Sequence, residues 1–409
     1  MKTNTDTFCV APWFQVRNRQ DMTKTVCCLV DHETKDPGTE ELSPIEYLNS
    51  DKILNMRMQM AKGIKVPQCK TCWKSEQHGH QSYRQQLNSL VQDSKWFDAY
   101  FKNKKDYNTD LVVMSDIKVG NTCNFACVMC NPQDSSMIYN HWVKNKQSSF
   151  VQDYLKQDSM YLDKAKASGY KQSKYREYVD SAVLSNKHIK LIKLLGGEPL
   201  LDEKLMQQLH DIPTERKNKI QLQVVTNGSL SLIKRSKQLE DFMRVKYCVS
   251  LEGIGEAQDY ARLGSNWNTL EPNLLEQLEY NKASLTIMTC LQATTFTRLP
   301  ELLQWTKKHQ IPFAINGLEH PNYLTINAVP DQLKQEVLAK LNKVGNYYVD
   351  QEAENMALDI KSLLDFIADS KYNKDMHKQF VDYLKFYEKG RSMKKFVDVF
   401  PEWEPYLEV

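Results

Sequence analysis

The sequence has no apolar run approaching the roughly 18 residues that a bilayer span needs, so no part of it reads as a transmembrane segment. Its opening residues, MKTNTDTFCVAPWF, lack a basic stretch followed by an apolar one. A secretory signal is therefore not expected there, and the expected compartment is the cytoplasm. Neither sign of charge dominates: 54 Lys and Arg face 51 Asp and Glu, a formal net charge of +3. A balance that even gives no ground for a nucleic-acid or membrane partner. No internal repeat and no low-complexity segment is visible, which sets aside repeat architectures. What remains is an ordinary globular composition, 409 residues with 41% hydrophobic content, enough for two or three domains with cores of their own.

Cysteine is the residue present in unusual number. There are ten, unevenly placed. Cys9, Cys27, Cys28, Cys69 and Cys72 fall early, Cys123, Cys127 and Cys130 stand together, and Cys248 and Cys290 sit alone within apolar segments. In a reducing compartment, clustered cysteines favour metal binding or catalysis over disulfides. The grouping predicts two metal centres and two buried core thiols.

From about residue 109 a repeating rhythm sets in. DLVVMSDIKVG, HIKLIKLL, IQLQVVTNG, VKYCVSLEG, SLTIMTCLQAT and PFAINGL read as strands. EKLMQQLHDI, LIKRSKQLEDFMRV, TLEPNLLEQLEYN and LPELLQWTKKHQ place apolar residues at helical spacing between them. Alternation of this kind predicts βα units and a parallel sheet, whose ligands sit at the carboxyl ends of the strands. The first 105 residues lack the rhythm, and a metal centre is expected to hold them together. Residues 131–187 form a polar interruption expected to border the active site. Beyond residue 326 three amphipathic helices are predicted. The expected divisions are 1–105, 106–325 and 326–409.

GNTCNFACVMCNP directly follows the first predicted strand. Its Cys-x3-Cys-x2-Cys spacing offers three soft thiolates, good ligands for an iron–sulfur cubane. Three ligands on four irons leave one iron open to a substrate. Zinc is the competing metal, but its sites reach four ligands by adding His or further Cys, and none lies near this loop.

The segment resembles the signature of the radical S-adenosylmethionine (SAM) superfamily. Gly196-Gly197-Glu198-Pro199 after the second strand, Thr226-Asn227-Gly228 after the third and Val249-Ser250-Leu251-Glu252-Gly253 after the fourth extend the resemblance across about residues 110–320. It implies an α/β fold with a partial (β/α)6 barrel. It implies that Cys123, Cys127 and Cys130 hold a [4Fe–4S] cluster whose fourth iron is chelated by SAM. Backbone groups of Gly196, Gly197 and Glu198 would receive the SAM ammonium. Asn227 belongs to the same strand-end set, Ser250 would hydrogen-bond the ribose, and Arg262 would pair with the SAM carboxylate. Reduction by a flavodoxin- or ferredoxin-type donor would cleave SAM to methionine and a 5′-deoxyadenosyl radical that abstracts hydrogen from a substrate.

FC(9)VAPW, TVC(27)C(28)LVD, SPIEYLNSDKILNMRMQMAKG and PQC(69)KTC(72)W resemble the SPASM/twitch auxiliary iron–sulfur module, placed here before the barrel. Met22 stands where such modules usually carry Gly. The resemblance implies an auxiliary [4Fe–4S] cluster on Cys9, Cys27, Cys69 and Cys72, with Cys28 able to exchange with Cys27, and four thiolates would also suit zinc. Modules of this type accompany enzymes that modify peptides or proteins, so a peptide or protein is the first expectation for the substrate. A small metabolite or cofactor precursor is the second, RNA modification, disfavoured by the near-neutral charge, is the third, and a redox or iron–sulfur binding protein is the non-enzymatic reading. EQHGHQSYRQQ, with His78, His80 and Arg84, reads as a polar linker into the barrel.

Overall fold

The structure, a computed structural model, describes residues 6–408 apart from 20–21, 31–37, 78–81, 90, 92–94, 103, 105, 119, 171–185, 281–282, 319 and 350–353. His78 and His80 lie outside the described residues. The described residues form ten strands: β1 (Gln15–Asn18), β2 (Lys24–Thr25), β3 (Met114–Lys118), β4 (Ala126–Cys127), β5 (Leu191–Leu195), β6 (Gln221–Thr226), β7 (Arg244–Ser250), β8 (Arg262–Leu263), β9 (Ala283–Leu291) and β10 (Phe313–Gly317).

Eight of them form one sheet in the order β10-β9-β7-β6-β5-β3-β1-β2. The six strands from β3 to β10 in this sheet lie in sequence order and are all parallel. The helices Glu203–His210, Leu232–Gln238, Trp267–Glu279 and Leu299–Lys308 connect them. The alternating strands and helices read from the sequence are thus borne out as a mixed α/β fold with a mostly parallel sheet.

The N-terminal segment extends that sheet. β1 runs parallel to β3, and β2 closes the edge antiparallel to β1. Poor in periodic pattern, the segment packs through aromatic rings instead. Phe8, Trp13 and Phe14 meet Phe97 and Phe101 with ring centroids 5.0–6.4 Å apart, mostly edge to face. Arg57, fully buried on the helix Asp51–Ala61, donates to the Pro12 carbonyl at 2.6 and 2.9 Å and lies 4.8 Å over the Trp13 ring. That contact ties the Pro-Trp turn to this helix. Met22 adopts φ +70°, the left-handed conformation that glycine enters without cost.

One apolar cluster joins this segment to one face of the sheet and its helices. A second joins Ala126 and Val128 of the cysteine loop to the helix Ser136–Lys144 and to the helices Asp331–Val349, Glu354–Asp369 and Lys374–Glu388. No helix among the described residues is long and apolar enough to cross a membrane.

Candidate active site

β3 delivers the chain to a loop at its carboxyl end, where Cys123, Cys127 and Cys130 lie. The Phe125 N–H donates to the Cys123 sulfur at 3.4 Å, and the Arg262 guanidinium donates to the Cys127 sulfur at 3.4 Å. β4, which carries Cys127, pairs antiparallel with β8, setting Cys127 opposite Arg262. Burial pushes the Cys123 thiol up to about 11 and raises Cys127 and Cys130 as well. Metal loading of this loop would therefore release protons. Among the described residues, no three His, Cys, Asp or Glu side chains are drawn together tightly enough to hold a single ion. The donor set suits an iron–sulfur cluster: three thiols on one loop, N–H donors aimed at two of the sulfurs, and a buried guanidinium to offset thiolate charge.

The Gly-Gly-Glu turn after β5 lies directly against the cysteine loop. The Gly197 N–H donates to Gly120 O at 2.9 Å, and the Glu198 N–H donates to Thr122 O at 2.8 Å. A Cβ on Gly197 would stand 2.1 Å from the Thr122 carbonyl oxygen, so only glycine fits. Gly196 has φ +146°. The Glu198 carboxylate is buried and fully engaged, accepting from Leu200 N, Thr226 Oγ1 and Asn227 N at 3.1, 2.9 and 2.6 Å. It ties the end of β5 to the end of β6 and leaves only backbone at this turn to meet a ligand. Asn227 continues the chain of contacts, donating to Asn124 Oδ1 at 2.9 Å within the cysteine loop.

Ser250, half-buried, ends β7. Two residues on, the sequence reading gave Glu252 no role of its own, yet it organises this side of the site. It is 1% exposed, accepts from Arg262 Nη2 at 2.6 Å and from the Cys290 N–H at 2.9 Å, and its own N–H donates to Gln258. Arg262 thus bonds Cys127 and Glu252 through its two terminal nitrogens, while its Nε is buried without a hydrogen-bond partner among the described residues. Burial alone would weaken the Arg262 proton, but Cys127 and Glu252 outweigh it and hold the charge firmly. An acidic residue two positions beyond the strand-end serine was the available signal. Cys290, expected in the core, is partly exposed and belongs to this cluster, whereas Cys248 is a core thiol.

The C-terminal helix Lys374–Glu388 straps the loop from outside. Tyr383 and Tyr387 donate to the Val128 and Ala126 carbonyls at 2.5 and 2.7 Å. No local pattern in the sequence announces contacts some 250 residues apart.

The four early cysteines of the auxiliary pattern gather elsewhere. Cys9, Cys27, Cys69 and Cys72 line one apolar cavity, closed by Tyr83, Arg84 and Leu87; Cys28 is not on its wall. Burial raises all four thiols, Cys69 to about 12. Arg84 is no linker residue. It is buried, bonded to Glu76 and the Phe8 carbonyl, and stacked 5.0 Å over Trp73.

No family model and no curated protein sequence matches the chain. Among solved structures it is similar to TYW1 with a lysine–pyruvate adduct bound, at 15% identity over 57% of this chain and 71% of that one, with a TM-score of 0.30. It is similar to Streptococcus suis SuiB bound to S-adenosylmethionine, at 14% identity over 73% and 62%, TM-score 0.35. It is also similar to native anSMEcpe with bound AdoMet, at 16% identity over 58% and 60%, TM-score 0.37. The chain spans less than two thirds of the length of the last two.

Proposed function

We propose that the chain is a radical SAM enzyme. The observation that carries this reading is the convergence of the three-cysteine loop, the Gly-Gly-Glu turn, the Asn227 turn and the Glu252–Arg262 pair at the carboxyl ends of adjacent parallel strands. Cys123, Cys127 and Cys130 would hold a [4Fe–4S] cluster. Bound there, the cluster would supply the electron for cleaving SAM to methionine and a 5′-deoxyadenosyl radical. Backbone groups of Gly196, Gly197 and Glu198 would receive the SAM ammonium, and Ser250 would hydrogen-bond the ribose. Glu198, engaged through its side chain, acts as a brace. Arg262 offsets thiolate charge at Cys127 and positions the loop.

The cavity of Cys9, Cys27, Cys69 and Cys72 would hold an auxiliary [4Fe–4S] cluster, with Cys27 favoured over Cys28 because only Cys27 is on the wall. A flavodoxin- or ferredoxin-type protein is the proposed electron donor. For the substrate, resemblance to the auxiliary module points to a peptide or protein, and a SuiB structure bound to a precursor peptide is among the similar folds. A small metabolite is the second reading, favoured by the polar sheet face described below. The test is anaerobic incubation of reconstituted protein with SAM and dithionite. Release of 5′-deoxyadenosine and methionine is expected, and its absence from cluster-loaded protein would overturn the assignment.

A further inference from the structure

Strand alternation gives the sheet two unlike faces. One is apolar and buried under the connecting helices, through residues such as Ile192, Leu194, Leu222, Val224, Val245 and Ile287. On the other, strand register sets Arg17, Asp116, Lys193, Gln223, Lys246 and Ser284 side by side across six adjacent strands. All but Asp116 are half-buried. In barrels of parallel strands such interior positions are ordinarily filled by branched apolar side chains. Here the row carries three cations and one carboxylate.

The row does not satisfy itself. Arg17 Nε stands 3.9 Å from Asp116, too far for a hydrogen bond. Arg17 Nε and both carboxylate oxygens of Asp116 are buried without a hydrogen-bond partner among the described residues. Lys193 lies 5.4 Å over the Tyr83 ring. Neither Lys193 nor Lys246 is hydrogen-bonded or ion-paired to another described residue. Lys118, nearer the strand end, is already paired with Asp134. Charged groups this enclosed are costly unless something completes their bonding.

We propose that this row holds the far end of an extended small-molecule substrate, an end bearing a carboxylate or phosphate. The excess of cations over carboxylate complements an oxyanion, and the orphaned Asp116 oxygens accept from a hydroxyl or amine beside it. Lys246 precedes Ser250 by four residues, about 13 Å along β7. A ligand anchored on the row thus reaches the strand ends only if it is elongated. This inference rests on the strand ends being the reaction site, and it takes the second, small-molecule reading of the substrate over the peptide one.

The test uses the full chain, anaerobically reconstituted and saturated with SAM. Linear dicarboxylates, inorganic phosphate and an acidic hexapeptide are titrated by calorimetry into wild type, Lys193→Met, Lys246→Met, the double variant, Lys193→Arg, and Lys190→Met as a control. The expected result is saturable, salt-sensitive binding of a dicarboxylate or phosphate. It should weaken at least tenfold in each Met variant, vanish in the double variant, and persist in Lys193→Arg and Lys190→Met. Oxyanion binding that is absent, or unchanged in a folded double variant, overturns the proposal, as does binding of the peptide alone. Dithionite-driven SAM cleavage is measured on the same samples. Lysine-dependent anion binding without cleavage in wild type would refute the radical reading and leave the anion site standing, whereas cleavage without anion binding would do the reverse.

Discussion

The two cysteine sites differ in how many thiols they assemble and in what surrounds them. The strand-end loop brings three thiols beside Asn227, Glu198, Glu252 and Arg262, with backbone turns open to a ligand. The N-terminal cavity gathers four thiols behind an apolar wall with Arg84 as the cation on its lining. A cluster held by four thiolates has no corner for a substrate, while one held by three does. Placement in the fold thus separates chemistry from electron relay or scaffolding in the proposed scheme.

The largest effect expected is loss of function from the first site. Replacing Cys123, Cys127 and Cys130 by Ala should abolish 5′-deoxyadenosine formation and reduce iron from about eight to about four per chain. Replacing Cys9, Cys27, Cys69 and Cys72 should also remove about four irons but leave SAM binding in place, as iron analysis and equilibrium dialysis would show. Loss of SAM binding in the second set would erase the distinction between the sites.

Next in size is the buried Glu252–Arg262 pair, with Glu252 fully and Arg262 largely shielded. Arg262→Met leaves an uncompensated buried carboxylate and should cost about 3–5 kcal/mol in denaturant unfolding. A cost below about 1 kcal/mol would mean that the carboxylate finds other partners. Tyr387→Phe removes the buried hydroxyl that donates to the Ala126 carbonyl at 2.7 Å and reaches the Tyr260 carbonyl at 3.3 Å, and should cost about 1–2 kcal/mol, with a faster loss of iron from the loop alone.

The smallest effect is on pH dependence. In metal-free protein, burial raises Cys123 to about 11 and Cys69 to about 12 from a reference of 9.0. A raised thiol pKa stabilises the fold fully below about 9, and this contribution is lost as pH climbs through the folded values. The melting temperature of metal-free protein should therefore fall between pH 9 and 11 more steeply than that of loaded protein, whose thiolates are already committed. Parallel curves would contradict the burial assigned to these thiols.

Much of this was legible in the sequence because it is local. Strand alternation placed β3 to β10 of the main sheet, and short motifs placed the turns at their ends. The joining of Cys9, Cys27, Cys69 and Cys72 was readable only through resemblance, since nothing in their spacing alone brings them to one cavity. Three features escaped because they depend on distant pairing. β1 adds to β3 across about 100 residues, Tyr383 and Tyr387 reach back to the cysteine loop, and the polar row from Arg17 to Ser284 exists only once register is known. Arg84 looked like linker material because its partners Phe8 and Glu76 flank it from different elements.

The vacant corner proposed for a strand-end cluster can be probed most directly by electron paramagnetic resonance of the variant lacking Cys9, Cys27, Cys69 and Cys72, reduced with and without SAM. Addition of SAM should shift the signal of the remaining cluster, and methyl-labelled SAM should show hyperfine coupling to it. An unchanged spectrum from a fully reduced, SAM-saturated sample would mean that the cluster has no open iron, contradicting the account.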